Sequence, residues 1–100
     1  MRSVHLARVG TKTRPVLMTR DSILDLLTSV TVAPITSTVR GIPTEVPVGS
    51  RNGLDKQGVI SCENLMTIAK TDLGRAVGLL LDDQESALAA AVRHAFDLRS

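Results

Sequence analysis

One arginine and a run of hydroxyl residues have the types and spacing needed to act on a phosphate group. Arg14 lies in Lys-Thr-Arg-Pro-Val-Leu-Met, where an extended apolar run begins, and Thr36-Ser37-Thr38 directly follows the apolar segment Val-Ala-Pro-Ile. A planar guanidinium donates in pairs to phosphate oxygens, and hydroxyls at a strand end can complete a phosphate-sized pocket. A surface salt bridge for Arg14 and a Ser/Thr turn at residues 36–38 fit the same residues, and residue type alone favours these structural interpretations.

The sequence lacks the stronger catalytic signatures. It has no Cys/His cluster with zinc-ligand spacing, no glycine-rich phosphate loop and no Gly-x-Ser-x-Gly motif. The two histidines, His5 and His94, lie in a predicted strand and in a predicted terminal helix, where structural roles are favoured. A nuclease built on this sequence would not be of the two-histidine type, and neither a metal nor another cofactor is predicted.

Composition limits what this chain can be. Its 100 residues suit a single domain over 1–100, and 43% of them are hydrophobic, enough for a core. Phe96 is the only aromatic residue, so any RNA recognition must depend on charge and hydrogen bonds more than on stacking. The net charge of +2 is uneven, because residues 1–60 carry eight Lys/Arg against four acids. A basic first portion is typical of a polyanion-binding face, and also of an ordinary solvated surface.

The cysteine count and the absence of long apolar segments predict the cellular compartment of the protein. Cys62 is the only cysteine, so no internal disulfide can form and a reducing compartment is the simpler expectation. No apolar run reaches membrane-spanning length, and Arg2 is not followed by the apolar stretch of a signal peptide. We therefore expect a cytoplasmic protein with no membrane partner.

Hydrophobic patterning predicts many short strands and one clear helix. Strands are predicted over 3–9, 13–19, 29–35, 44–48, 58–62, 65–68 and 76–81. Pro15 suggests that its strand lies at an edge or is just beginning. A short helix with an Asp21 cap is predicted over 21–27, a turn over 49–53, and a helical turn over 71–74 that Gly74 ends.

The terminal helix is the clearest element. Asp82 is predicted to cap it, with Glu85 completing a pair like a capping box. Leu88, Val92, Ala95 and Phe96 fall at helical spacing and are predicted to pack on the core. The pattern as a whole predicts a small, curled, mostly antiparallel sheet with helices against it.

A series of short motifs, in order along nearly the whole chain, resembles the MazF/PemK toxin family. The motifs are Arg14-Pro15-Val16, Ala33-Pro34-Ile35-Thr36-Ser37, Pro43-Thr44-Glu45-Val46, Asn52-Gly53-Leu54, Ser61-Cys62-Glu63-Asn64, Asp72-Leu73-Gly74 and Gly78. Each string is weak by itself, but their shared order in a chain of this length is a strong signal.

The resemblance implies a mainly β (α+β) fold, an SH3-like small barrel of the CcdB/MazF type with short helices and a C-terminal helix. It implies a homodimeric bacterial toxin of a type II toxin–antitoxin system that cleaves RNA at specific sequences without metal. Attack by the neighbouring 2′-hydroxyl would leave a 2′,3′-cyclic phosphate and a 5′-hydroxyl, and translation and growth would be inhibited. The partners implied are RNA and a cognate antitoxin whose disordered acidic tail blocks the RNA groove.

The resemblance also assigns roles to residues. It implies that Arg14, Thr36 and Glu63 are catalytic, with Arg14 stabilising charge, Thr36 holding a phosphate oxygen and Glu63 matching a proposed general base. The RNA-binding residues it implies are Lys12, Thr13, Ser37, Thr38, Arg40 and Asn64.

The sequence departs from the family in two places. Ser61 stands where some members carry an arginine, which leaves the base role of Glu63 open and asks Arg14 to supply charge stabilisation and the leaving-group proton. The connection from Gly10 to Thr13 is much shorter than the family's usual loop over the RNA site, so the site is expected to be open to folded RNA.

Two other functions are compatible with such a small barrel. A CcdB-like gyrase poison acts as a protein–protein inhibitor and relies on aromatic residues near its C-terminus, whereas this chain ends Phe96-Asp97-Leu98-Arg99-Ser100 without tryptophan. A plain SH3-like binding module needs an aromatic groove, which one phenylalanine cannot furnish.

Overall fold

The computed structural model describes residues 2–20 and 28–98, which form a curled antiparallel sheet and one long helix. The elements, in chain order, are β1 (Ser3–Val9), β2 (Lys12–Met18), β3 (Ser29–Thr36), β4 (Glu45–Val48), β5 (Gly58–Ser61), β6 (Met66–Ala69), β7 (Leu73–Leu79) and α1 (Asp82–Ala95). Single 3₁₀ turns lie at Ser50–Asn52, Cys62–Asn64 and Lys70–Asp72.

Strand β3 is the centre of the sheet, and the way it pairs explains the curl. The strands follow the order β4-β5-β3-β2-β1-β7, with β6 also paired to β3. Along its side away from β2, β3 pairs with β6 up to Val32 and with β5 from Ile35. Pro34 lies between these two ladders and has no N–H to donate, so the change of partner leaves no ladder donor unpaired at that residue. The sheet bends around this point into a half-barrel.

Alternating apolar residues bury both faces of the central strands. Leu17, Ala33 and Ile35 contribute to one core cluster, which includes Leu88 and Ala91 of α1. The intervening positions belong to a second cluster, which includes Val16 and Val32. This period of two is the expected consequence of side chains alternating across a pleated strand. Burial of each Leu or Ile side chain stabilises the fold by roughly 1.5–3 kcal/mol.

The structure confirms the predicted strands, with ends that match or differ by at most three residues, and corrects two details of the sheet. Pro15 is opposite Leu6 in the middle of β2, not in an edge strand. It is tolerated because the β2–β3 ladder covers only Val16–Met18, which leaves Pro15 beyond its end. Gly74 lies inside β7 and ends no helical turn, since the 3₁₀ turn stops at Asp72.

Two details of the terminal helix are also corrected. Helix α1 begins at Asp82 and its N-cap is Leu81, so Asp82 is not the cap. The Leu81 N–H instead donates to Oε1 of Gln84 at 2.9 Å. Leu88 is buried as predicted, whereas Phe96 lies beyond the last turn with 58% of its surface exposed and is not part of the core.

Two further predictions concern helices. The predicted helix over 21–27 lies outside the described residues. In the part of the chain that is described, no helix is long and apolar enough to cross a membrane.

Candidate active site

A cavity of about 410 Å³ lies between the ends of the central strands and the segment 53–58. Its apolar surface comes from side chains of the strands, and its polar surface comes from hydroxyls, cations and one carboxylate. The lining residues are Leu6, Arg14, Pro15, Ile35, Thr36, Ser37, Gly53, Leu54, Asp55, Lys56, Gln57, Gly58, Arg75 and Val77.

Arg14 and Thr36 line this cavity from neighbouring strands. The β2–β3 ladder ends where Val16 is opposite Pro34, and Arg14 and Thr36 each lie two residues beyond that pair, at the same end of it. Arg14 is exposed, and its guanidinium makes no hydrogen bond or ion pair with any residue in ranges 2–20 and 28–98. The salt-bridge interpretation of Arg14 therefore has no support there, and no described residue competes with an anion for the guanidinium.

The Thr36 hydroxyl is oriented by the loop that follows it. Its Oγ1 accepts the Thr38 N–H at 3.1 Å, so the Ser/Thr turn and the cavity wall are the same structure. Because Oγ1 is the acceptor in this bond, the hydroxyl proton of Thr36 can point into the cavity as a donor. Ser37, which is exposed, lines the cavity beside it.

Two glycines bring the segment 53–58 close to the sheet. A Cβ at Gly58 would lie 2.4 Å from the Thr36 carbonyl oxygen, so a side chain there would push β5 away from β3. Gly53 has φ +83°, and a Cβ there would lie 2.1 Å from the Val77 carbonyl oxygen. Glycine is the residue that permits both contacts, and they set the far wall of the cavity.

Positive charge predominates around the cavity. Arg14, Lys56 and Arg75 line it, against the single carboxylate of Asp55 among the described residues. Arg2–Glu85 and Arg51–Asp83 are ion pairs among the described residues, and none of the four charged cavity residues takes part in them. Unneutralised cations in a concave site favour a polyanionic ligand.

Arg75 is a cavity residue that sequence reasoning missed. The predictions place it between a helical turn and a strand, whereas it lies within β7 at an irregularity in the pairing with β1. His5 is opposite Ala76 and Ala7 is opposite Leu73, so a two-residue step along β1 matches a three-residue step along β7. The sequence offers one signal for this position: Gly74 directly precedes the charged Arg75 in an extended segment, and a glycine within a strand suggests a bulge.

The remaining predicted site residues lie outside the cavity wall. Glu63 and Asn64 are exposed in the 3₁₀ turn after β5, where Asn64 Nδ2 donates to Ser61 Oγ at 2.9 Å. The others are exposed near the cavity mouth: Lys12 and Thr13 directly precede Arg14, while Thr38 and Arg40 follow Ser37. Thus the structure brings Arg14, Thr36 and Ser37 together and leaves Lys12, Thr13, Thr38, Arg40, Glu63 and Asn64 around them.

The loop that carries Arg40 is held by a carboxylate. Oε1 of Glu45 accepts the Gly41 N–H at 2.8 Å and the Arg40 N–H at 3.1 Å. Oε2 also accepts the Arg40 N–H, at 3.2 Å. These bonds restrain the Arg40 backbone while its side chain stays exposed.

The remaining reactive groups do not form a second centre. Cys62 is buried, and that burial, with Glu63 beside it, raises the pKa of the thiol. Over residues 2–20 and 28–98, no group of three or more His, Cys, Asp or Glu side chains is arranged to hold a metal ion. His94 is exposed on α1, whereas Nδ1–H of His5 donates to the Gly74 carbonyl oxygen at 2.9 Å.

Comparison with known proteins gives consistent matches over nearly the full chain. Residues 3–96 match the family described as PemK-like, MazF-like toxin of type II toxin–antitoxin system. Endoribonuclease MazF3 of Mycobacterium tuberculosis (strain ATCC 25618 / H37Rv) is 56% identical over 99 residues, covering 98% of this chain and 95% of the relative.

Solved structures agree with these matches. The Mycobacterium tuberculosis toxin MazF-mt6 superimposes with a TM-score of 0.94 at 54% identity, covering 99% of this chain and 100% of the other. A Mycobacterial endoribonuclease in complex with its cognate antitoxin superimposes with a TM-score of 0.85, covering 98% of this chain and 94% of the other. At 24% identity, the second likeness is one of fold.

Proposed function

We propose the chemistry of the cavity from one premise: the chain belongs to the PemK-like, MazF-like toxin family of type II toxin–antitoxin systems. The chain is accordingly a toxin endoribonuclease. The finer proposals concern the mechanism, the residues that carry it and the partners. The observation that carries them is that Arg14, which has no partner among the described residues, lines a positively charged cavity together with Thr36.

In the proposed reaction the cavity holds the scissile phosphate of single-stranded RNA. The 2′-oxygen forms a bond to phosphorus as the bond from phosphorus to the 5′-oxygen breaks, which leaves a 2′,3′-cyclic phosphate and a 5′-hydroxyl. Arg14 donates to the phosphoryl oxygens as charge builds on them, and the Thr36 hydroxyl donates to one of the same oxygens. Ser37 supports the phosphate from the neighbouring position. No metal is assigned a role in this scheme.

The proton of the 2′-hydroxyl needs an acceptor, and the leaving 5′-oxygen needs a donor. Asp55 is the carboxylate in the wall formed by the described residues, so we place it first as the acceptor. Glu63, the acceptor that the motif order implies, stays a second candidate from its position outside the wall. The 5′-oxygen takes its proton from solvent or from a cation hydrogen-bonded to it.

Residues around the cavity are proposed to bind the flanking nucleotides. Lys12 and Thr13 extend from Arg14 along β2, Thr38 and Arg40 extend from Ser37, and Asn64 lies on the turn after β5. The turn joining β1 to β2 consists of Gly10 and Thr11, and neither residue lines the cavity. A turn this short supports entry of bulky or folded RNA.

The proposed partners are a cognate antitoxin and a second copy of the chain. An acidic antitoxin tail would be attracted by the same cations that attract RNA. The Mycobacterial relative of the same fold was solved with its cognate antitoxin, which supports this proposal. The chain is further proposed to act as a homodimer on RNA in the cytoplasm.

Purified protein incubated with total RNA in EDTA tests the proposal. We expect cleavage, and sequencing of the new 5′ ends maps the recognised bases and the class of target RNA together. An Arg14→Ala protein should leave the RNA intact. Intact RNA with the unaltered protein, with gyrase-linked DNA breaks in cells that express it, would support the gyrase poison instead.

A further inference from the structure

Arg75 is a cation of the cavity to which the mechanism above assigns no role. It lies on β7, it is exposed, and it lines the same cavity as Arg14 and Thr36. Its guanidinium has no hydrogen-bond or ion-pair partner among residues 2–20 and 28–98. The one carboxylate of the described wall, Asp55, does not neutralise it at ion-pair distance.

Arg75 and Arg14 lie on the two strands that flank β1. Thr36, Arg14, Leu6 and Arg75 lie on the successive strands β3, β2, β1 and β7, and all four line the cavity; the residue of β1 opposite Arg14 is Ala7, next to Leu6. Neighbouring strands are about 4.8 Å apart, so the backbones carrying the two arginines are on the order of 10 Å apart. Because both arginines line the same cavity, their long side chains can reach one phosphate bound in it.

The irregular pairing of β7 with β1 presents Arg75 to the cavity. The extra residue of β7 lies between Leu73 and Ala76, so the segment Gly74–Arg75 bulges out of the ladder. His5 holds the bulge through its hydrogen bond to the Gly74 carbonyl oxygen. Bulges of this kind redirect side chains and are over-represented beside active sites. The histidine restrains the backbone directly before Arg75, while the arginine side chain stays exposed.

We propose that Arg75 is a second guanidinium on the reacting phosphate, acting with Arg14 on the transition state. The proposal rests on the ribonuclease mechanism above and deepens it. As the bond from the 2′-oxygen to phosphorus forms and the bond to the 5′-oxygen breaks, the phosphoryl oxygens gain negative charge. A single guanidinium bound to these phosphoryl oxygens would neutralise only part of their negative charge. Arg75 donates hydrogen bonds to these oxygens and forms no covalent bond.

The assignment also addresses a departure from the family noted in the sequence. Ser61 stands where some members carry an arginine, and it is buried with its Oγ bonded to Asn64. Arg75 supplies a second cation from a different strand, so Arg14 need not carry both roles alone.

The test separates chemistry from binding. The probe is an oligoribonucleotide spanning the site that the unaltered protein cuts in total RNA, together with the same oligonucleotide carrying a 2′-deoxy residue at the cut. We expect Arg75→Ala to lower the single-turnover rate constant at saturating protein by about 10²-fold or more, while the Kd of the uncleavable probe rises less than about tenfold. Arg75→Lys should restore the rate only in part, because an ammonium lacks the planar fork.

Arg93→Ala, at an exposed position on α1, removes the same charge and is expected to leave both constants unchanged. Circular dichroism and thermal melting of each variant check folding. A normal saturating rate in a folded Arg75→Ala protein, with or without weaker binding, overturns the assignment and leaves the ribonuclease proposal standing. Absence of cleavage by the unaltered protein overturns both.

Discussion

The side chains of Asn52 and Gln84 form a two-way hydrogen-bonded amide pair in the protein interior. Asn52 Nδ2 donates to Gln84 Oε1 at 2.6 Å, and Gln84 Nε2 donates to Asn52 Oδ1 at 3.2 Å. Asn52 is fully buried and also binds the backbone of Gly49 and Leu79. The pair therefore ties the 3₁₀ turn before the cavity segment to β7 and to the start of α1.

Removing this amide pair should destabilise the protein. Asn52→Ala removes the side chain that the Gly49 N–H, the Leu79 carbonyl and the Gln84 amide bind. Gln84 keeps its bonds to the Leu81 N–H and the Pro47 carbonyl, and each buried group left unsatisfied costs roughly 1–3 kcal/mol. We expect the free energy of unfolding, measured in urea, to fall by about 3 kcal/mol. Ser50→Ala, at an exposed position of the same turn, is the control and should change it by less than about 0.5 kcal/mol. Equal stabilities of the two variants would contradict the role of the pair.

The Arg14 and Thr36 side chains are predicted to act on the transition state. Arg14→Ala should lower the cleavage rate constant by about 10²–10³-fold, the effect of removing one preorganised donor from an oxyanion site. Thr36→Val removes the donor and keeps the side-chain shape, and it should lower the rate by about tenfold or more. Thr36→Ser keeps a hydroxyl and is the matched control. Full cleavage by a folded Arg14→Ala protein would end the proposal for that residue.

Two carboxylates compete for the role of general base. If Asp55 accepts the proton, Asp55→Asn should lower the cleavage rate by about 10²-fold or more, whereas Glu63→Gln changes it by less than about threefold. The two variants are isosteric with the residues they replace, so the comparison isolates the proton acceptor. The opposite order of effects would assign the role to Glu63. Equal, small effects would exclude both.

Gly58 is predicted to resist substitution because of its contact with β3. A Cβ at this position would lie 2.4 Å from the Thr36 carbonyl oxygen, so Gly58→Ala must displace a strand that lines the cavity. We expect a loss of about 1–3 kcal/mol in unfolding free energy and a fall in cleavage rate. Gly41→Ala is the control: it has open space around it but φ of +74°, so it carries backbone strain without a clash. Cleavage by Gly58→Ala at the rate of the Gly41→Ala protein would contradict the argument.

The buried thiol of Cys62 makes stability depend on alkaline pH. Burial raises the pKa of Cys62, so as pH rises the thiol ionises first in the unfolded chain. The contribution of this residue is fully present below the pKa of the unfolded thiol, about 8.5, and is lost as pH rises through the higher folded pKa. We expect the difference in unfolding free energy between the unaltered protein and Cys62→Ala to be constant from pH 6 to 8. It should shrink above about pH 8.5. A constant difference up to pH 10 would contradict the burial effect.

Local patterns in the sequence already determined much of the fold. Alternating apolar residues and Gly, Pro and Asn at the turns located the strands, and helical spacing located α1. The order of motifs implied the SH3-like barrel of the CcdB/MazF type, and the overlays with MazF toxins confirm that fold class. These signals depend on residues close together in sequence, so one chain suffices to reveal them.

The tertiary structure decided which residues share the cavity. Arg75 enters it through the offset between β1 and β7, strands separated by more than sixty residues of sequence, and no local pattern encodes that register. Asn52 looks like an ordinary turn asparagine until Gln84 reaches it from α1. Glu63 is near Asn64 and Ser61 in the motif, yet its 3₁₀ turn lies outside the cavity wall. Contacts between segments far apart in sequence set all three outcomes, because they depend on strand register and on the packing of α1 against the sheet.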